Sequence, residues 1–467
     1  IGECCTKNQK QKLTLSDKID KVLTHRIWSI PIFLLIMFVV FHLVFSEDLL
    51  FLNGLFGVEV TNPGWINFFT GMGYDGLVEE ALEAGEVFTG ISVPSIGIFL
   101  QSWMGWLTGS IIDLFNGFMP EGTWYTGLVV DGILTGIDSI FSFIPQVLLL
   151  FLFISILEDS GYMARVAFIM DRAFRKFGLS GKAFIPLLMG FGCSVPAMMA
   201  TKTLEDEKER DMTIRVTPFF SCGAKAPIWA MLAAVVSGHF LGDIFVFSIY
   251  LFGIVIAIVS AIIMKLFSKN HEVPPFIMEL PAYHIPTVGN VLRSMWERGW
   301  SFIKKAGTII LLSTIVVWFT TYFGFTDEGF RMLAEDEIDM SILAKIGGAV
   351  AWIFTPLGWG NWQAAVASIT GLVAKENIVG TMGILYGGGD VSPYAALALA
   401  FTKLAGFSFL TFNLLCAPCF AAIGAIKREM NSAKWTWIAI GYQCGFAYVV
   451  SLCIYNIGSL IADGVFS

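Results

Sequence analysis

The sequence predicts an all-α, polytopic transmembrane helical bundle with discontinuous, Gly- and Pro-broken helices arranged in two related units. Three observations carry that prediction. Of 467 residues, 56% are hydrophobic and 14% charged, against about 25% charged in a soluble domain, so water is not the main solvent. The stretches Ile27 to Phe45, Gly132 to Leu157, Ile244 to Leu266 and Ala306 to Phe323 approach or exceed the roughly 20 apolar residues that cross a bilayer core of about 30 Å. Unpaired backbone is costly in lipid, and the alternation of outer-membrane barrel strands is absent, so these segments are helices. Roughly seven or more crossings are expected on length alone.

The opening segment, 1–26, is polar, carries Lys7, Lys10, Lys12, Lys18 and Lys21, and starts at Ile1. It lacks the apolar core and cleavage site of a signal peptide and reads as a cytoplasmic lead-in cut from something longer. Segment 27–131 holds the first span and an acidic outer part. No Lys or Arg occurs between Arg26 and Arg165, whereas fourteen Asp or Glu do. The positive-inside rule then puts the N-terminus in the cytoplasm and the segment from about Ser46 to Asp131 outside. Its acids, among them Glu47, Asp48, Glu59, Asp75, Glu79, Glu80, Glu83 and Glu86, would concentrate cations in a vestibule, or form a solvated loop. Phe99, Trp103 and Trp106 suggest a helix lying at the interface rather than spanning.

Residues 132–267 make the first unit. Its first span ends at Glu158 and Asp159 and leads into a basic stretch with Arg165, Arg172, Arg175, Lys176 and Lys182. Ala183 to Ala200 is then interrupted by Pro186, Gly190, Gly192 and Pro196, and Ile214 to Val236 by Pro218, Gly223 and Pro227 around Lys225. Hydrophobic segments broken in this way line substrate paths in transporters, with kinked structural helices as the alternative. Segment 268–305 is basic and contains Pro274, Pro275 and Pro281, as expected for a cytoplasmic surface run. Residues 306–467 make the second unit: a span to Phe323, an acidic outer loop with Asp327, Glu328, Glu335, Asp336, Glu337 and Asp339, and further apolar blocks whose crossings the sequence leaves uncounted.

The two units share a pattern. Cys193 is followed 29 residues later by Cys222, and Cys416, with Cys419, is followed 28 residues after the first thiol by Cys444. A carboxylate precedes each set, Glu158 and Glu376, and Met198 and Met199 lie beside the first thiol. The cysteines lie mostly in apolar segments, so they read as thiols and not as a disulfide framework. Sulfur with carboxylate suits a borderline divalent ion such as Fe²⁺ better than Mg²⁺ or Ca²⁺, which want oxygen alone. Packing is the competing role for each thiol, since free Cys behaves as a small hydrophobe. Ionisable groups inside a membrane tend to be functional, which adds Asp159, Asp171, Lys225 and Lys375 as candidates. The five histidines are scattered, and no HExxH site occurs.

These motifs resemble one family. Leu157 to Asp171 (LEDSGYMARVAFIMD), Gly178 to Lys182 (GLSGK), Gly190 to Pro196 (GFGCSVP), Pro218 to Pro227 (PFFSCGAKAP), Ser16 to Arg26, Ala374-Lys-Glu376 and Cys416-Ala-Pro-Cys419 are similar to the membrane domain of the ferrous iron transport protein B family (FeoB), from about Ser16 to the C-terminus. The resemblance implies two Gate regions, Fe²⁺ as transported substrate, and an ion path using Cys193 and Cys222, with Cys416, Cys419 and Cys444 as second-half candidates. Family members begin with a cytoplasmic GTPase domain, yet no GxxxxGK[ST] loop is present, so GTP and Mg²⁺ enter only through that missing domain. The implied partners are membrane lipids, the upstream GTPase domain, small cytoplasmic helper proteins and other copies of the chain, with no nucleic acid. The expectation is therefore a multi-pass protein of the bacterial inner membrane, a transporter and not an enzyme. A permease for Mn²⁺, Zn²⁺ or a nucleoside, and a membrane enzyme or sensor with redox-active thiols, stay open as alternatives.

Overall fold

The computed structural model describes residues 28–46, 93–120, 123–236, 242–267, 283–326, 329–333, 335–386 and 400–466, together with positions 20, 21, 23, 25, 49 and 397. The acids from Asp75 to Glu86, with Glu47, Asp48, Glu59, Asp327 and Glu328, lie outside the described residues.

Helix α1 (Ser29–Phe45) buries Phe33, Met37, Val40 and Val44 and turns Leu34, Leu35 and Phe38 outward. That three-and-four spacing makes one packed face, and the outward face is as apolar as the inward one, which only a lipid surrounding permits. Helix α2 (Ile96–Phe118) runs beside α3 (Trp124–Asp159). Gln146 donates to Gln101 at 2.6 Å and Thr108 to the carboxylate of Asp138, a register that falls on one helix as it rises on the other. The pair is therefore antiparallel, and α2 stands against a span instead of lying flat as its aromatics suggested.

Helix α4 (Tyr162–Phe177) lies between two glycines in left-handed conformation, Gly161 (φ 78°) and Gly178 (φ 87°), where a side chain would be strained. Its last turn carries Arg175 and Lys176, and Lys265 Nζ donates to Lys176 O at 2.8 Å, so cations gather at the negative end of the helix dipole. The next turn approaches α4 closely. A Cβ on Gly181 would stand 2.0 Å from Ala167 O, and Gly181 N–H donates to Asp171 at 2.9 Å. Gly181→Ala should accordingly destabilise the protein by about 1–3 kcal/mol through overpacking against backbone, read as a lower thermal midpoint in detergent. Alongside, Lys182 Nζ meets Glu205 at 2.8 Å and holds that carboxyl below its usual range.

The first unit continues through α5 (Phe184–Gly192), α6 (Ser194–Ala200), α7 (Glu207–Val216), α8 (Ala226–Val236) and α9 (Gly242–Phe267). Helix α10 (Val288–Phe302) packs on α3, where Ser155 meets Ser294 at 3.2 Å, and passes by a π turn into α11 (Thr308–Tyr322). A short antiparallel hairpin follows, β1 (Phe323–Thr326) with β2 (Gly329–Met332), in the register Phe323 to Met332. The all-α expectation did not include it. Its aromatics stack on the end of α11 (Phe319–Phe323, 4.7 Å; Phe323–Phe330, 5.5 Å), and Gly329 (φ 111°) supplies the turn conformation.

The second unit comprises α12 (Ile342–Phe354), α13 (Trp362–Thr370), α14 (Asn377–Tyr386), α15 (Lys403–Leu415), α16 (Phe420–Glu429) and the unbroken 34-residue α17 (Ala433–Phe466). Between α12 and α13 the chain bends by 102°, with Gly358 at φ 88°. Among the described residues four helical stretches are long and apolar enough to cross a membrane, Trp124–Asp159, Ser248–Phe267, Lys403–Glu429 and Ala433–Ile461. The bent pair makes a fifth, and Ser29–Phe45, Gly181–Gly192 and Ile310–Tyr322 are shorter apolar helices.

Candidate functional site

Four interruptions of the helices hold the candidate groups. At the first, between α5 and α6, Gly192 lies so close to Leu150 that a Cβ would stand 2.7 Å away, and Cys193 turns extended (φ −153°, ψ 130°). Pro196 then sits in the first turn of α6, where a missing N–H costs nothing. At the second, Pro218 ends α7 in a short turn, Cys222 is extended (φ −85°, ψ 162°), and a 3₁₀ turn, Gly223–Lys225, opens α8. Gly223 admits the Phe45 ring, 3.2 Å from where its Cβ would be. At the third, turns over 371–376 carry Lys375 and Glu376 between α13 and α14. The fourth separates α15 from α16, with Cys416 at φ −64° and ψ 173°, Pro418, and Cys419 as the first cap of α16.

Hydrogen bonds tie these interruptions together. Phe420 N–H donates to Leu372 O at 2.7 Å, joining the third to the fourth. Lys225 Nζ donates to Pro218 O (2.9 Å), Phe220 O (3.4 Å) and Leu414 O (2.7 Å), joining the second to the fourth and one unit to the other. Lys375 Nζ donates to Cys416 Sγ at 3.1 Å. Cys193 interacts electrostatically with Cys419, Cys222 and Glu376, and Cys419 in turn with Cys222, Glu376 and Lys375. Cys193 and Cys419 also pack in one apolar cluster with Phe41, Phe45 and Leu150.

Cys193, Cys222, Cys416, Cys419 and Glu376 thus sit at helix interruptions within one neighbourhood. Cys444 lies inside the unbroken α17, within electrostatic reach of Cys416 and Lys375. Four sequence candidates lie elsewhere. Glu158, at the end of α3, is 54% exposed and pairs with Arg298 at 2.6 Å, the behaviour of a wetted helix end. Met198 is fully buried against Ile214, Ile426, Met430 and Ala439, an apolar filler of the core. Asp171 is spent on Arg175 and on Gly181 N–H, and Asp159 accepts from Thr287 N–H at 3.1 Å.

The repeat also changes register. Cys193 and the Cys416 to Cys419 stretch each interrupt a span, but the interruption at Cys222 has no counterpart at Cys444. Its counterpart is at Lys375: Ala224-Lys225 opens α8 and Ala374-Lys375 opens α14. The thiol interruption comes first in one unit and second in the other. The Ala-Lys dipeptide in apolar surroundings was the signal that would have found this. Asn413, buried three residues before Cys416 with its Oδ1 unpaired, carried no sequence signal.

Chemically the neighbourhood offers sulfur, one carboxylate and carbonyl oxygens, around two buried ammonium groups. Among the described residues no three of His, Cys, Asp and Glu stand close enough together to enclose an ion. The candidate groups form a series of positions and not a closed cage.

Residues 140–236 and 303–433 match the family model described as Gate, nucleoside recognition, and residues 246–298 match that of the ferrous iron transport protein B C terminus. The chain is 36% identical over 463 residues to a Staphylococcus aureus (strain COL) protein named Fe(2+) transporter FeoB, covering 98% of this chain and 62% of that one. It is 30% identical to the Campylobacter jejuni protein of the same name over 464 residues, 98% of this chain and 67% of the relative. A Porphyromonas gingivalis protein named Fe(2+) transport protein A/Fe(2+) transporter FeoB fusion protein is 34% identical over 506 residues, with 98% and 53% covered. The chain thus spans less than two thirds of the S. aureus protein, and no solved structure matches it. With similarity running along almost its whole length, the chain belongs to the ferrous iron transport protein B (FeoB) family.

Proposed function

We propose that this chain forms a transmembrane path that carries Fe²⁺ into the cytoplasm, with Cys193, Cys222, Cys419 and Glu376 as successive ligands. The observation that supports this reading is that all four groups sit at helix interruptions, the three thiols on extended backbone. A path needs ligands strong enough to replace water and weak enough to release the ion, which a spaced series provides better than a cage. The relatives are named Fe(2+) transporters, and sulfur with carboxylate suits that ion.

The relatives' greater length accommodates an upstream GTPase domain that regulates the path, and the fusion protein's name points to a small transport protein A as helper. The basic run Arg165 to Lys182 faces the cytoplasm in this reading, which places the chain in the inner membrane with its N-terminus inside.

The test is uptake into liposomes bearing the chain, with Fe²⁺, Mn²⁺, Zn²⁺ and a nucleoside offered separately, the last because the matching model is described as nucleoside recognition. Cys193→Ser and Cys222→Ser should each slow Fe²⁺ uptake by about tenfold or more, the loss expected when a first-row ion exchanges sulfur for a weaker oxygen ligand. Fe²⁺ uptake at the wild-type rate in both variants would remove the thiol path, and nucleoside uptake without metal uptake would remove the ion.

A further inference from the structure

The two buried lysines open equivalent half-helices but are satisfied unequally. Both side chains are 2% exposed, and an ammonium carries three protons to donate. Lys225 has three carbonyl acceptors drawn from both units, so its hydrogen-bonding capacity is filled and it pins the units together. Among the described residues Lys375 has one hydrogen-bond acceptor, the Cys416 sulfur at 3.1 Å. Sulfur is a weak acceptor, and a buried ammonium with one weak bond is held loosely for its charge. A second buried group, three residues before Cys416 in the sequence, is also short of a partner. Asn413 is fully buried, its Nδ2 donates to Phe409 O (3.0 Å) and Ser368 Oγ (3.3 Å), and its Oδ1 accepts nothing. Cys416 in turn donates toward Asn413 O at 3.6 Å. At the end of α15 the Cys416 sulfur, with the Asn413 backbone carbonyl 3.6 Å away, therefore carries the ammonium of Lys375.

We infer that Lys375 is a tethered cation that occupies the Cys416 site in this conformation, so that a divalent ion reaches Cys416 only by displacing the ammonium. Lys375 is on this view a specificity-determining residue. An ion that binds sulfur strongly displaces the ammonium, and a hard, strongly hydrated ion does not. The inference rests on the thiol interruptions being an ion path, and it adds a fifth position, Cys416, that is reached in competition. The pairing would be structural instead if Lys375 merely filled space, as Lys225 fills its carbonyl set.

The probe is Cd²⁺ alone, added to the purified chain in detergent. Its occupancy of each thiol is read as protection from N-ethylmaleimide, with the Cys416 peptide quantified separately by mass spectrometry. In Lys375→Met, which keeps length and removes charge, half-protection of Cys416 should need at least about tenfold less Cd²⁺ than in wild type, the scale of one charge-assisted hydrogen bond. Lys375→Arg, which keeps the charge, should stay near the wild-type value. A Cys416 midpoint within about twofold of wild type in Lys375→Met, or a weaker one, overturns the inference. Because the readout is one thiol and not transport, it separates from the path itself. Uptake that ignores Cys193 and Cys222 removes the path whatever Cd²⁺ does, and an unmoved Cys416 midpoint with uptake still thiol-dependent removes only the role of Lys375.

Discussion

Lys225→Met is expected to destabilise the protein by about 3–5 kcal/mol, since it leaves three buried carbonyls without a donor and each unsatisfied group costs about 1–3 kcal/mol, partly offset by no longer desolvating a charge. Pro218 O and Phe220 O belong to the second interruption and Leu414 O to the end of α15, so the loss falls on the joint between the units. Water cannot repair it, because the site is surrounded by Phe219, Leu414, Leu415 and Trp229 in the main apolar cluster. Scanning fluorimetry in detergent reads the change directly, and the midpoint should fall by more than about 5 °C. Lys225→Arg, with donors in a flat fork and a longer reach, should fall between the two. A methionine variant melting within about 2 °C of wild type would mean that the carbonyls find other donors and that the pin is not needed.

Arg165→Met should release the lead-in from the membrane part. Arg165 is 2% exposed and reaches Asp20 with two nitrogens, Nε at 2.5 Å and Nη2 at 3.2 Å, while Nη1 donates to Gly161 O at 2.9 Å. Its guanidinium also lies 3.6 Å over the Tyr283 ring. A forked pair with a stacked face is the arrangement in which arginine has no substitute. Three segments far apart in sequence thereby meet at one side chain: the lead-in, the start of α4 and the approach to α10. Removing it should cost about 2–4 kcal/mol locally, an estimate reduced because Asp20 remains partly wetted. Trypsin cleavage after Lys21 is the sensitive readout, with an acceleration of about tenfold or more expected. The charge-exchanged pair, Asp20→Arg with Arg165→Asp, should recover part of the protection. Equal cleavage rates in wild type and Arg165→Met would show that the lead-in is held elsewhere.

What the sequence disclosed was decided by local rules. The interruptions at Cys193 and Cys222 follow from Gly190, Gly192, Pro196, Pro218 and Pro227, because glycine and proline fix where backbone can continue as helix whatever lies across from it. The span expected from Gly132 to Leu157 falls inside α3 for the same reason. Lys225 and Lys375 could be flagged as costly charges in an apolar setting, but not their partners, since Leu414 lies 189 residues from Lys225 and only packing brings them together. Glu158 and Met198 misled for a related reason: sequence proximity to a thiol says nothing about direction, and one side chain turned to Arg298 and the other into the core. Cys444 was matched to Cys222 by spacing alone, while the conformation that gives Cys222 its exposed carbonyl neighbours is absent from α17. The hairpin after Phe323 arose from aromatic stacking that no helical period reveals.

Helix α17 has a mechanical consequence. Its helical stretch of 29 residues, Ala433–Ile461, is about 44 Å long at 1.5 Å per residue, against a hydrocarbon layer of about 30 Å. A straight rod of that length must lean, or drag the lipid surface upward around it. Gln443 reaches from it to the carbonyls of Ile214 and Arg215 at the end of α7, and Phe446 packs on Phe219 beside the second interruption. The slant of this strut is therefore geared to the first unit, and the thickness of the surrounding lipid is felt at the interruption around Cys222.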